Sequence, residues 1–253
     1  MAHWYKFALY YLWIAPHALL VVVPVLMFVR RLHKSFPVFF VYTLYETLGF
    51  LLRFAAYTAG HGPGAGLYRY VFIVAAAGST ALRFGIIQEI FNNVFRDYPR
   101  LERLATTSMR WLTGLLVLAA ILTTFYSSGT LPDNLLVGVR LLERSVTIIQ
   151  AGLLLFLFLF SRMFGLSWRS YTFGIALGFA IFASTEIASW TLGLTALTEH
   201  SRYLLDLLPT GSYHVSVLVW LGYLLGGGEK PGGGPTYTIP EIDQWSGELG
   251  RPR

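Results

Sequence analysis

The sequence predicts an all-α fold: a polytopic membrane protein built as a seven-transmembrane-helix bundle, with its N-terminus outside and its C-terminus cytoplasmic. Three observations predict it. The chain of 253 residues is 55% hydrophobic and only 13% charged, whereas a soluble domain carries about 25% charged residues. It contains seven apolar segments long enough to cross about 30 Å of hydrocarbon as helices. Its lysines and arginines are concentrated in alternate loops, the pattern that orients membrane proteins.

The seven segments make residues 1–228 a single transmembrane domain. Each has a length within the range of about 17–27 residues that a straight or tilted helix needs to cross the bilayer. The first segment lacks a small-x-small cleavage site and is followed by its basic cluster, so we expect it to remain as a helix rather than be removed as a signal peptide. The predicted spans are 8–29, 37–58, 68–94, 109–126, 135–160, 171–194 and 211–227.

The basic residues predict the orientation. The loops after spans 1, 3 and 5, together with the tail, carry Arg30, Arg31, Lys34, Arg96, Arg100, Arg103, Arg110, Arg162, Arg169, Lys230, Arg251 and Arg253. The opposite side holds only Lys6, Arg202 and the boundary residue Arg69. Cytoplasmic loops are the basic ones, so the chain is expected to lie N-terminus out in a plasma or inner membrane. This asymmetry explains the net charge of +6, and no nucleic-acid partner is predicted.

The connecting segments are short, and none is large enough for a soluble domain. The stretches HGPGAG (61–66) and SSGTLPDN (127–134) have the composition of turns. Residues 194–209 mix leucines with charges and predict an interfacial helix on the outer face. Residues 229–253 form a flexible cytoplasmic tail that begins with a glycine-rich hinge. Its central stretch PTYTIPEIDQW (235–245) is a candidate docking peptide for a membrane or cytoplasmic protein partner.

Four arginines and four glutamates fall in the interior of the predicted spans. A charge at a lipid-exposed helix centre costs about 2.5–3.5 kcal/mol, so eight of them would cost about 20 kcal/mol or more, which exceeds the stability of a typical domain. They must therefore face one another or a water-filled cavity. They are Glu46, Arg53, Arg83, Glu89, Arg140, Glu143, Arg144 and Glu186.

Helical periodicity places most of these charges on polar stripes. At 100° per residue, Arg140, Glu143, Arg144, Thr147 and Gln150 share about 120° of span 5. Narrow arcs also hold Tyr42, Glu46, Gly49, Arg53 and Tyr57 on span 2, and Arg69, Ser79, Thr80 and Arg83 on span 3. We expect the stripes to point inward and to form a ligand-binding or charge-pair network that opens outward, made of Glu46, Arg53, Arg83, Arg140, Glu143, Arg144 and Glu186. A second, inner polar patch is expected at Gln88, Glu89, Asn92 and Asn93.

The sequence argues against several cofactor and catalytic classes. With no cysteine, thiolate metal sites, disulfides and cysteine nucleophiles are excluded. The last span has no lysine for a retinal Schiff base, and no zinc or di-iron motif occurs. We expect no cofactor. Haem ligation by His17 and His214 is a minor alternative. No nucleophile–base constellation can be named, which disfavours an enzyme. Gly174 and Gly178 on span 6 predict close helix packing.

Three functions fit this pattern. The first is a receptor-like sensing or accessory protein, which binds a small polar ligand in the outward pocket and contacts a partner through its tail. The second is a secondary transporter of a small polar or anionic solute. In that case the seven helices would divide into a group of three, a linker helix and a second group of three. This arrangement is similar in topology to the SWEET-type sugar transporters, although their Pro-Gln signature is missing here. The third is a structural subunit of a membrane complex, in which the charges only pair internally. The sequence leaves the oligomeric state undetermined.

Overall fold

The computed structural model describes residues 3–59, 66–95, 99–161, 166–193 and 199–228. Within these ranges the chain is helical and contains no β-strand, which confirms the predicted all-α class. The helices are α1 (His3–Leu20), α2 (Val22–Val29), a 3₁₀ helix (Leu32–Lys34), α3 (Pro37–Ala59), α4 (Gly66–Val94), α5 (Pro99–Tyr126), α6 (Leu131–Leu159), α7 (Tyr171–Gly193) and α8 (Glu199–Gly226). The predicted tail, 229–253, and the turn at 61–65 lie outside the described residues.

Six helical stretches are long and apolar enough to cross a membrane. They are Tyr10–Val29, Pro37–Ala59, Tyr68–Val94, Thr106–Tyr126, Asp133–Leu159 and Tyr171–Gly193. They coincide with the first six predicted spans to within a few residues. Large apolar side chains cover their outer surfaces, as at Phe125 (82% exposed) and Leu159 (71% exposed). The chain is therefore an integral, multi-pass membrane protein, since so much exposed apolar surface needs lipid around it.

Prolines account for several helix boundaries. Pro24 has no N–H to donate to the carbonyl of Leu20, and the first crossing is interrupted at Val21, between α1 and α2. Pro37 and Pro99 stand at the first positions of α3 and α5, where a missing N–H costs nothing. Pro209 lies inside α8, and the helix continues through it.

The described part of segment 194–209 differs from the expected interfacial helix. Residues from Glu199 onward form the first turns of α8, which runs on to Gly226 as one helix. The sequence changes from mixed composition to an apolar run near residue 210, which predicts two separate helices. In the structure the backbone stays helical through Pro209 and Gly211, so one helix contains both parts.

The bundle packs around an aromatic centre. Trp220 of α8 is 2% exposed and lies edge-on to Phe39 of α3, with ring centroids 5.1 Å apart. Its ring is also 4.9 Å from that of Phe179 on α7, and its Nε1 donates to the carbonyl of Ile175 at 3.3 Å. These contacts tie α3, α7 and α8 together, with α4 packed against α3, α5, α6 and α7.

Two contacts bring helix ends together at one side of the bundle. Arg30, just after α2, donates to the Tyr171 hydroxyl at 3.2 Å and to the Leu225 carbonyl at 3.1 Å. The side chain of Asn93 near the end of α4 reaches the carbonyl of Ser35 at 3.4 Å. We call this side, which carries Arg30, Arg31, Lys34 and Arg169, the basic end.

Helices α7 and α8 approach closely because two glycines of α7 lack side chains. A Cβ on Gly174 would lie within the Tyr223 ring, and one on Gly178 would lie within the Trp220 indole. The predicted role of Gly174 and Gly178 in close helix packing is confirmed.

Candidate functional site

Arg83 is the central residue of the intramembrane charges. Helix α4 places it in the bundle interior, where it is 3% exposed. Its Nη1 donates to Glu186 Oε2 at 3.2 Å, and its Nη2 donates to Glu143 Oε1 at 3.4 Å. The guanidinium carbon lies 5.5 Å from the centre of the Phe182 ring. One arginine thus joins α4, α6 and α7 through charge-assisted hydrogen bonds, which are the strong kind.

Thr147 completes the environment of Glu186. Its hydroxyl lies 2.8 Å from Glu186 Oε2 and 2.9 Å from the carbonyl oxygen of Glu143. The single hydroxyl proton can serve either acceptor, one at a time. Thr147 is fully buried, and with Arg83 it provides two donors to one carboxylate oxygen, which offsets the cost of burying that carboxylate.

Helix α3 adds a second ion pair. Arg53 Nη2 lies 3.6 Å from Glu46 Oε2, and Arg53 Nε donates to the carbonyl of Gly49 at 3.1 Å. Buried Tyr42 lies within electrostatic range of Glu46, Arg83 and Glu186, which connects this pair to the centre. We call Tyr42, Glu46, Arg53, Arg83, Glu143, Thr147 and Glu186 the Arg83 network.

The Arg83 network has an open edge and an excess of negative charge. The side chains of Glu143 and Arg53 are 35% and 24% exposed, against 3% for Arg83. Three carboxylates face two guanidinium groups, so the formal charge of the network is −1. An unmatched carboxylate in such surroundings requires a proton or a cationic group nearby.

Two buried polar atoms beside the network have no hydrogen-bond partner within the described part of the chain. They are Arg83 Nε and the hydroxyl oxygen of Tyr213 on α8. Tyr213 lies within electrostatic range of Tyr42, Glu46 and Arg53. Helical periodicity places Tyr42 and Thr147 on the polar stripes of spans 2 and 5, although only charged residues are predicted as site residues there. Tyr213 is not predicted at all, because an uncharged residue in an apolar span carries no penalty that singles it out.

Arg140 and Arg144 lie outside the buried centre. Both side chains are exposed, and the Arg144 guanidinium carbon lies 5.6 Å from the Trp190 ring. The predicted stripe on α6 spans about 120°, and these two arginines occupy one edge of it. Glu143 and Thr147 occupy the part that faces α4 and α7. The expectation that the whole stripe points inward therefore does not hold for the two arginines.

The inner polar patch contains a helix cap supplied by another helix. Glu89 of α4 accepts hydrogen bonds from the backbone N–H groups of Val38 at 2.8 Å and Phe39 at 3.0 Å. These are orphan donors in the first turn of α3, where a negative charge also complements the helix dipole. Gln88 and Asn92 are partly exposed beside it. The contacts of Glu89 thus support the start of α3.

The two histidines considered for haem pack against different aromatic groups. His17 Nδ1 lies 3.0 Å from the carbonyl of Trp13, and its ring stacks on Phe50 at 4.2 Å. The ring of His214 lies edge-on to Tyr11 at 5.7 Å. Among the described residues, no group of three or more His, Cys, Asp or Glu is arranged to hold a metal ion. Haem ligation by His17 and His214 stays a prediction.

Comparisons with protein-family models, with curated proteins and with solved structures found no match to this chain. Function is therefore argued from the chemistry of the Arg83 network alone. That network offers carboxylates as acceptors, one guanidinium N–H that has no partner among the described residues, and a partly exposed edge. The similarly unpartnered Tyr213 hydroxyl lies beside it. Such a set of groups suits the binding of a small polar molecule.

Proposed function

We propose that this chain is a seven-span, receptor-like or accessory membrane protein, which binds a small polar ligand in the Arg83 network from the outer side. Its tail is proposed to contact a protein partner in the cytoplasm. The proposed ligand carries a cationic group, which would balance the one carboxylate that the network has in excess of its guanidinium groups. The exposed arginines Arg140 and Arg144 at the rim suit an anionic group on the same molecule.

Helix α8 supports the proposed seventh crossing, and the basic residues support the proposed orientation. Helix α8 has 28 residues, about 42 Å at 1.5 Å per residue, and its second half packs against α7. It ends at the basic end, where Arg30 contacts the carbonyl of Leu225. Because basic loops remain in the cytoplasm, we assign the basic end to the cytoplasmic side. The Arg53 edge of the network then faces outward.

One observation carries the proposed ligand site. Arg83 Nε and the Tyr213 hydroxyl are buried polar atoms without a partner among the described residues. The network around them is partly open, since Glu143 beside Arg83 is 35% exposed and Arg53, within electrostatic range of Tyr213, is 24% exposed. Buried polar groups are nearly always hydrogen-bonded, and exceptions usually mark a functional site. If the charges were only pairs that hold helices together, the polar atoms at the centre should be satisfied by protein.

The ligand site is tested by native mass spectrometry of the protein released from its own membrane. We expect a stoichiometric small-molecule adduct on the wild type and none on the Glu143→Gln/Glu186→Gln variant. The matched control is Glu89→Gln, which changes an intramembrane carboxylate outside the network and should keep the adduct. The proposal fails if the double variant keeps the adduct and its protein partner. A bound polypeptide without any small molecule would favour the structural subunit.

The transporter alternative makes a different demand on the same residues. It requires solute uptake into sealed proteoliposomes that depends on Glu46, the network carboxylate on α3, as the group that carries a proton across. Uptake that Glu46→Gln leaves unchanged would argue against a proton-coupled carrier.

A further inference from the structure

A groove of about 730 Å³ lies between α7 and α8 at the basic end, away from the Arg83 network. Its walls include Leu177 of α7 and Val219 of α8, and its mouth is formed by Trp168 and Arg169. The Tyr223 hydroxyl donates to the carbonyl of Trp168 at 2.9 Å, which fixes the loop against α8. The groove is therefore lined by both apolar side chains and polar groups, with Arg169 at its entrance.

Missing side chains on α8 create the groove. A Cβ built on Gly222 or Gly226 meets nothing within 4 Å, so both glycines leave open space beside the helix. On α7, Gly174 and Gly178 receive the rings of Tyr223 and Trp220. The α7–α8 contact thus combines tight packing at these two glycines with open space at Gly222 and Gly226.

The mouth of the groove has the chemistry of a membrane interface. Trp168 is 68% exposed, and tryptophan is enriched at the headgroup level of bilayers. Arg169 is exposed beside it, and a methyl group placed on Gly227 would lie 3.8 Å from Arg30 Nη1. Arg169 therefore lies at the entrance of the groove, and Arg30 lies nearby with its guanidinium bonded to Tyr171 and to the Leu225 carbonyl.

We propose that this groove binds an anionic phospholipid, with one acyl chain along Leu177, Val219 and Gly222 and the phosphate at Arg169. The apolar walls lie in a membrane-spanning region, where lipid is the surrounding solvent. The cation at the mouth is complementary to an anionic headgroup, as in basic pockets between transmembrane helices. This inference is independent of the ligand proposed for the Arg83 network.

The test measures retention of phosphatidylglycerol by the purified full chain, using native mass spectrometry after exchange into detergent with defined lipids. Phosphatidylglycerol should be retained over phosphatidylcholine. Arg169→Ala should lower retention about five-fold, the factor expected for one arginine at an anionic surface. Gly222→Leu, which places a side chain in the groove at a position where a Cβ meets nothing within 4 Å, should lower it at least as much. Gly152→Leu is the matched control, since Gly152 is an exposed glycine on α6 whose Cβ also meets nothing.

Three results would overturn the lipid site. The first is equal retention of phosphatidylglycerol by the wild type and by Gly222→Leu, when thermal unfolding curves show that both proteins are folded. That result would show that the groove does not bind the lipid. Displacement of the lipid by inorganic phosphate alone would indicate a simple anion site. A several-fold gain in lipid binding on deletion of residues 229–253 would indicate that the chain's own tail is the natural occupant.

Discussion

Replacement of Arg83 by alanine is expected to lower the free energy of unfolding by about 3–5 kcal/mol, the usual cost of removing one partner from a buried ion pair. The variant leaves Glu186 buried without its counter-charge and removes the cation that Glu143 contacts. It also removes a side chain that joins α4, α6 and α7 through hydrogen bonds. The measurement is denaturant or thermal unfolding of the purified protein in mixed micelles.

The control for this prediction is Arg110→Ala, which removes an exposed arginine on α5 and should change stability by no more than about 0.5 kcal/mol. The Arg83→Ala/Glu186→Gln double variant should lose less than the sum of its single variants, with a coupling of about 0.5–3 kcal/mol. If Arg83→Ala were as mild as Arg110→Ala, the ion pairs of Arg83 would not hold the bundle together.

Gly178→Ala is expected to destabilise the protein by about 1–3 kcal/mol through overpacking. The added methyl group would lie within the Trp220 indole, next to its Nε1. Trp220 cannot move away easily, because it is held by the rings of Phe39 and Phe179 and by a hydrogen bond to Ile175. We expect α7 and α8 to separate slightly, which lowers the unfolding temperature.

Gly222→Ala provides the matched control on the same helix pair. Its methyl group meets nothing within 4 Å, and alanine is favoured over glycine in a helix by about 1 kcal/mol. This variant should be neutral or slightly stabilising. A Gly178→Ala protein as stable as Gly222→Ala would mean that the two helices do not pack as closely as the structure has them.

The sequence was a good guide to the helices, because segment length and hydropathy are properties of each helix alone. The six membrane-crossing stretches agree with predicted spans, and Pro37 and Pro99 begin helices as their chemistry requires. The prediction was poorer for 194–209, since the change in composition near Pro209 does not mark a break in the backbone of α8.

The candidate site could be predicted only in part. The cost of burying charge singled out Arg83, Glu143 and Glu186, which the structure brings into contact. The choice of partners depends on which helices are neighbours, and a single sequence does not contain that information. For the same reason the sequence predicts Glu89 only as part of a polar patch. It does not predict that this residue of α4 caps the start of α3.

The most direct test of the central claim, that a charged network inside the membrane opens to the outer face, is single-cysteine labelling in intact cells. The chain has no cysteine of its own, so each variant reports one position. Arg140→Cys lies at the rim of the network, Ser128→Cys in the loop before α6, and Leu155→Cys on the exposed apolar surface of α6. A membrane-impermeant maleimide added outside should label Ser128→Cys and Arg140→Cys and leave Leu155→Cys unlabelled. Labelling of Arg140→Cys only after the cells are permeabilised, or not at all, would contradict an outward-opening network.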